Sequence, residues 1–142
     1  MKLVPYEPWM YELCAFEYLM DAETIKIFSI AYSLRGTSYG IEHDGCIVGC
    51  AGIYELWPGV AEAWTLFSQE AKNHPYFIHK MTKRIVHNAA KEKPYHRIHA
   101  VVRKNDPIAI RWAERLGFEY ESTMKRYGAD MGDFDMMVLK EA

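Results

Sequence analysis

The chain has 142 residues, of which half are hydrophobic and a quarter are charged. This composition is ordinary for one globular domain with one core, and it excludes an intrinsically disordered chain. The net charge of -2 provides no overall attraction to nucleic acid or to an anionic membrane. No apolar stretch is long enough to span a bilayer, and the three cysteines lack the spacing of a disulfide framework. We therefore expect a cytoplasmic protein without nucleic-acid or membrane partners.

The first half of the chain predicts a short strand, two helices and an antiparallel meander. Asp44-Gly45 is typical of a type I′ hairpin turn, and a proline–glycine pair makes the next turn of the meander. Apolar residues spaced by four and three positions predict the first helix, with Trp9 and Leu13 on its apolar face. The predicted elements are a strand over 1–4, helices over 7–20 and from Asp21 to about Gly36, and strands over 38–42, 46–55 and 60–68.

The second half predicts two helices, each opened by a proline. Pro75 and Pro107 occupy first helical positions, where the missing N–H has no intrahelical partner to lose. Asp106 is placed to cap the second of these helices, and Gly117 is placed to end it. The predicted elements are helices from Pro75 to about Lys93 and from Asp106 to about Leu116, and strands over 97–103, 118–124 and 134–139.

The order of these elements predicts the topology of the sheet. A strand, a long helix and a strand in succession imply a right-handed parallel crossover between strands 60–68 and 97–103, inside an otherwise antiparallel sheet. We expect a single α/β domain over residues 1–142, with a mixed sheet of six to seven strands and about four helices.

The segment from Asn105 to Phe118 resembles a known family. It carries an asparagine, then the pair Ala109-Ile110, then Leu116-Gly117-Phe118, late in a chain of this length and directly after a strand. Members of the GNAT N-acetyltransferase superfamily commonly carry these residues at this spacing. The stretch 62–68, with His74-Pro75 and 126–128, is also similar to GNAT-fold proteins of tailed bacteriophages, some of them grouped with internal virion protein A.

The resemblance implies the GNAT acyl-CoA N-acyltransferase fold, with acetyl-CoA as cosubstrate and an amine of a small molecule or protein as acceptor. The coenzyme would lie where strands 60–68 and 97–103 splay apart, with its pyrophosphate on the backbone amides of residues 72–76, at a helix N-terminus. The residues implied in coenzyme binding are Phe67, Ser68, Lys72, Asn73, His74, Asn105 and Arg111.

Catalysis by acyl transfer to an amine needs a base for the ammonium group. Glu62 lies in the middle of an apolar strand, and it matches the position of the glutamate in several GNAT enzymes, with Glu55 as the second candidate. The alternative is that Glu62 makes a structural ion pair with an arginine such as Arg103. The family often places an acidic tyrosine where this chain has Trp112, so Tyr120, Tyr127 or solvent would protonate the leaving thiolate.

Two other functions stay open, because the loop 69–76 lacks the glycines of the family's Gln/Arg-x-x-Gly-x-Gly/Ala motif. The chain could be a phage-encoded GNAT-fold protein without turnover, which enters a virion or binds a host factor. It could also be a regulatory module that binds coenzyme A. The six histidines show no spacing typical of a metal site, so we predict none.

Overall fold

The computed structural model describes residues 1–15 and 21–140. It has the predicted α/β architecture, a seven-stranded mixed sheet covered by helices. The strands are β1 Lys2–Pro5, β2 Thr37–His43, β3 Cys46–Trp57, β4 Val60–Phe67, β5 Arg97–Arg103, β6 Phe118–Met124 and β7 Phe134–Leu139. The helices are α1 Pro8–Ala15, α2 Ala22–Leu34, α3 Pro75–Glu92 and α4 Pro107–Arg115, with a short 3₁₀ helix Gln69–Asn73 before α3.

Local signals account for several element boundaries. The side chain of Asp106 accepts a hydrogen bond from the Ala109 amide at 3.1 Å and so caps α4. The predicted hairpin turn is confirmed, since Asp44 and Gly45 both have positive φ, at 51° and 80°. Gly117, which follows α4, has a φ of 107°, a conformation that glycine adopts without steric cost.

The strands lie in the order β1-β2-β3-β4-β5-β7-β6. Strands β4 and β5 are parallel, and the other pairs of neighbouring strands in this order are antiparallel. The predicted crossover through α3 is therefore confirmed. The parallel register covers Val60–Arg97, Ala61–Ile98 and Glu62–His99. Both strands continue beyond this register, β4 to Phe67 and β5 to Arg103, so they fork apart after Glu62 and His99.

The core has a layer on each face of the sheet. One layer joins α3 and α4 to the sheet and includes Ile53, Val86, Ile98 and Leu116. The other layer, on the side of α1 and α2, is aromatic and centres on Trp64, whose ring stacks 4.1 Å from that of Tyr32. No helix in residues 1–15 and 21–140 is long and apolar enough to cross a membrane.

The predicted apolar face of α1 is wrong. Trp9 and Leu13 are about half exposed, while Met10 and Cys14 are buried. Both pairs have the same four-residue spacing, so periodicity alone could not choose between them. Packing decides, because Gly40 has no side chain and leaves room for Met10 against the sheet. The predicted extension of this helix over residues 16–20 lies outside the described residues.

Candidate active site

A cavity of about 240 Å³ lies where β4 and β5 fork apart. We call it the strand-fork cavity. Glu62 and Trp64 line it from β4, and Val101 lines it from β5. Tyr32 of α2 closes it on one face of the sheet. The walls on the other face are apolar side chains of α3, α4 and β6, among them Val86, Ala113, Leu116 and Phe118. Because these walls come from both faces, the cavity passes between the two strands.

Glu62 is held by His99 at this fork. Its Oε1 lies 3.2 Å from Nε2 of His99, whose side chain is 7% exposed, while the Glu62 side chain is 29% exposed. The two residues are direct partners in the last pair of the parallel register. Arg103, which the sequence suggested as a partner, instead bonds Asp130 at 2.9 Å. That suggestion is therefore wrong, because the register places a histidine beside the carboxylate.

The hydrogen bonds around His99 determine its tautomer. Nε of Arg97 lies 3.3 Å from Nδ1 of His99, and an arginine can only donate. Nδ1 is therefore the acceptor, and Nε2 carries the hydrogen that is donated to Glu62. The guanidinium of Arg97 is bound by both carboxylate oxygens of Glu121 at 2.8 Å. This pairing raises the pKa of Arg97 and lowers that of Glu121, so the ion pair persists at neutral pH.

Glu55 lies away from the strand-fork cavity. Its carboxylate accepts hydrogen bonds from Lys93 at 3.1 Å, from the hydroxyl of Tyr95 at 3.2 Å and from Arg35 at 3.3 Å. The bond from Lys93 is the main reason that the pKa of Glu55 is lowered. A carboxylate bound by two cations is a weak base, and here it links the end of β3 to the segments that follow α2 and α3.

Tyr120 also lies away from Glu62. It is on β6, and both β5 and β7 separate that strand from β4. Its hydroxyl is 2.9 Å from that of Thr123, and Lys104 lies 5.7 Å from the centre of its ring. Tyr127 is exposed and packs on Phe134. The structure therefore brings neither tyrosine to the strand-fork cavity.

The loop before α3 uses several of the groups that the sequence assigned to pyrophosphate. The amide of His74 donates to the carbonyl of Ala71 at 3.0 Å, and residue 75 is a proline without an N–H. The side chains of Asn73 and His74 both bond Glu70 at 3.2 Å. The hydroxyl of Ser68 donates to the carbonyl of Val48. The prediction that amides 72–76 together bind the pyrophosphate is therefore wrong for residues 74 and 75.

A second cavity, of about 480 Å³, lies between the 3₁₀ helix, α3 and α4. We call it the α3–α4 cavity. Lys72, His79, Trp112 and Arg115 line it, and Arg111 lines a neighbouring cavity of about 400 Å³ along α4 that Arg115 and Trp112 share. Lys72, Arg111 and Arg115 form no ion pair with a carboxylate in the part of the chain that the structure describes. Sequence reasoning selected Lys72 and Arg111 but missed His79 and Arg115.

Trp112 connects α4 to α3 and β4. Its indole N–H donates to Nδ1 of His79 at 3.0 Å, and its ring packs edge-to-face on Phe67 at 5.6 Å. This bond places the hydrogen of His79 on Nε2. Burial, aided by the nearby cations Lys83 and Arg115, lowers the pKa of His79. His79 is therefore a neutral hydrogen-bond donor in the wall of the cavity. Asn105 is exposed and lines neither cavity.

Within residues 1–15 and 21–140, no group of three His, Cys, Asp or Glu side chains could hold a metal ion. The candidate site consists of a carboxylate at a strand fork and a cationic cavity beside α3, the helix that connects the forked strands. A forked parallel pair inside an antiparallel sheet defines the GNAT class of acyltransferase fold. Residues 15–138 match the family model for the acetyltransferase (GNAT) domain, and the chain belongs to this family. GNAT acetyltransferases use acetyl-CoA as cosubstrate.

Solved structures share the fold over nearly the whole chain. A spermidine N-acetyltransferase SpeG chimera from Vibrio cholerae and hSSAT has a TM-score of 0.78 and 15% identity, over 98% of this chain and 96% of that chain. An IAA acetyltransferase from Bacillus cereus has a TM-score of 0.79 and 11% identity, over 97% of each chain. A dodecameric spermidine N-acetyltransferase from Vibrio cholerae has a TM-score of 0.78 and 14% identity, over 97% and 92%. At these identities the likeness shows the fold alone.

No curated protein matches the sequence significantly. The family model and the solved structures do not bear on the narrower group of phage-encoded proteins, which stays a prediction from the sequence.

Proposed function

We propose that the chain transfers the acetyl group of acetyl-CoA to an amine, with Glu62 as the base. The observation that carries this proposal is the carboxylate of Glu62 at the fork of β4 and β5, inside a cavity that passes between the strands and partly open to water. A base must reach the ammonium proton of the acceptor directly or through one water. His99 occupies Oε1 of Glu62, so the carboxylate has a fixed orientation while its other oxygen can take the proton.

The residues of the α3–α4 cavity fit the phosphates of the coenzyme. Lys72, Arg111 and Arg115 supply positive charge, and Nε2 of His79 supplies a neutral donor. The amides of Tyr76 and Phe77, in the first turn of α3, have no acceptor within the helix. Side-chain cations would thus take the place of the glycine-lined loop of the family. When bound, acetyl-CoA supplies an acetyl group activated as a thioester.

The proton for the leaving thiolate comes from water in this proposal. Trp112 stands where the family often has a tyrosine, but an indole N–H is too weak an acid, and here it is bonded to His79. Water can enter the strand-fork cavity, because nearly a third of the Glu62 side chain is exposed. Release of a thiolate of ordinary basicity into water needs no dedicated acid at neutral pH.

The alternative of a GNAT-fold protein without turnover rests on the glycine-free loop, in which the His74 amide already has an acceptor. Its phage origin, its host or virion partner and its cytoplasmic location are predictions from the sequence. Coenzyme binding separates the two functions, because an interaction protein needs no cationic cavity for phosphate.

Calorimetric titration with acetyl-CoA tests the proposal. Lys72→Ala and Arg115→Ala should each weaken binding about tenfold, which corresponds to ~1.4 kcal/mol for one charge-assisted contact. Added salt should also weaken binding, since these contacts are ionic and partly exposed. Lys80→Ala is the matched control, because Lys80 is an exposed lysine of α3 outside the cavity.

If the wild type does not bind acetyl-CoA at millimolar concentration, the proposed function is wrong. If it binds, turnover is measured with a concentrated primary amine and a thiol reagent that detects coenzyme A. Glu62→Gln should then lower kcat by about a hundredfold, the usual contribution of a general base. Unchanged kcat would remove Glu62 from the mechanism.

A further inference from the structure

The charges around Glu62 restrict the kind of amine that the site can accept. Arg97, His99, Val101 and Arg103 alternate along β5 with other residues, so all four side chains lie on the face of the sheet that carries Glu62. These four side chains form a row of ionic and apolar groups along β5, with Arg97 before the fork and Val101 and Arg103 beyond it. An amine bound at Glu62 must lie along this row or leave the protein surface.

Both arginines in the row already have an acidic partner. Arg97 is bound by both oxygens of Glu121, and Arg103 is bound by Asp130 at 2.9 Å. Arg103 also lies 4.7 Å from the centre of the Phe134 ring. Each pair is neutral as a whole, so neither offers free negative charge to a ligand.

Glu62 differs from these two carboxylates because its partner is neutral. Arg97 donates to Nδ1 of His99, so the ring keeps its hydrogen on Nε2 and carries no charge toward Glu62. The acidic residues of the row are thus Glu62, Glu121 and Asp130, and among the residues that the structure describes there Glu62 alone lacks a cationic partner. The row presents one uncompensated negative charge.

From these charges we infer that the acceptor is an amine with a single positive charge, whose remaining atoms form an uncharged chain or ring. The inference rests on the proposed function, and it names the substrate class of the same site. One ammonium is matched by Glu62. A second ammonium on the same molecule would have two possible positions. One is near the guanidinium of Arg97 or Arg103, about 7 to 13 Å from His99 along the strand. The other is against the apolar wall formed by Val101 and the rings of Tyr32 and Trp64.

Both positions disfavour the second charge. Beside Arg97 or Arg103 it finds a carboxylate whose charge the guanidinium already balances, so it gains no counter-charge for the water it loses. Against the apolar wall it loses water without gaining a counter-charge. An uncharged chain or ring instead gains from contact with Val101, Tyr32 and Trp64. Spermidine, after which the SpeG structural neighbours are named, is a polyamine, and the row along β5 does not match it.

Two amines of equal length test the inference directly. Hexylamine and hexamethylenediamine differ by one terminal amino group, and release of coenzyme A measures their acetylation. After correction for the two equivalent amines of the diamine, kcat/KM for hexylamine should be at least about tenfold higher. The preference should shrink as salt is added, because it arises from charge on a partly exposed face.

A matched pair of variants locates the effect. Val101→Glu adds a second carboxylate to the row about 7 Å from His99, and it should raise kcat/KM for the diamine relative to hexylamine about tenfold. Val101→Gln has the same shape as Val101→Glu without the charge, so the difference in this ratio between the two variants measures the effect of the charge. Since both amines are compared on one protein, a general loss of activity cancels from the ratio.

The outcomes distinguish the inference from the function on which it depends. Acetylation of both amines, with the diamine equal or better in the wild type, overturns the inference and leaves the proposed function in place. The same ratio in both Val101 variants also overturns it. No acetylation of either amine, in a protein that binds no acetyl-CoA, overturns the proposed function and the inference together.

Discussion

Replacement of His99 tests how the candidate site orients Glu62, the proposed base. His99→Leu removes the hydrogen bond from Nε2 to Glu62, which is 3.2 Å long and partly buried. A hydrogen bond to a charged group contributes about 1.5–3 kcal/mol. If the bond serves to orient Glu62 in the transition state, its loss should lower kcat by about ten- to a hundredfold, at ~1.4 kcal/mol per decade.

The assay is steady-state kinetics with detection of released coenzyme A. In His99→Leu the KM for acetyl-CoA should stay unchanged, because Lys72 and Arg115 in the α3–α4 cavity are untouched. His99→Gln should recover most of kcat, since its amide can donate from nearly the same position as Nε2. His96→Leu is the control, because His96 is an exposed histidine just before β5.

Two results would refute this reasoning. If His99→Leu keeps the wild-type kcat, the bond does not orient the base. If His99→Leu and His99→Gln lose activity equally and both unfold at lower temperature, His99 serves the stability of the fork rather than the orientation of Glu62.

Three further variants test other parts of the structure. Glu55→Gln should lower Tm at pH 7, and the difference in Tm from the wild type should close below about pH 4. The reason is that Lys93 lowers the folded-state pKa of Glu55, and the stabilising charge is lost as this carboxyl is protonated. Equal differences in Tm at both pH values would contradict this. Asp106→Ala should cost about 1 kcal/mol in urea unfolding, since it removes the cap of α4, and no change would show that the cap contributes nothing. Trp112→Phe should free Nδ1 of His79, so the ¹⁵N shifts of this ring should move from one tautomer toward a mixture; unchanged shifts would mean that another group selects the tautomer.

Local chemistry made much of the fold predictable. Prolines at the first positions of α3 and α4, the cap at Asp106 and the turn at Asp44-Gly45 act through their immediate neighbours, so the sequence suffices to place them. The strands 97–103, 118–124 and 134–139 lie at the predicted bounds for the same reason. The burial face of α1 was not predictable, because residues of two faces share one spacing and Gly40 of another strand decides between them.

The candidate site was also predictable from the sequence only in part. The sequence alone determined that Glu62 is a candidate functional residue, because a carboxylate in an apolar strand needs a partner or water wherever the strand lies. It also determined the family, through a local segment around α4. Only the tertiary structure decided that the partner is His99, since a parallel register depends on the whole crossover through α3. It likewise brought His79 and Arg115 to one cavity, because helices distant in sequence meet only when each buries its apolar face on the same sheet.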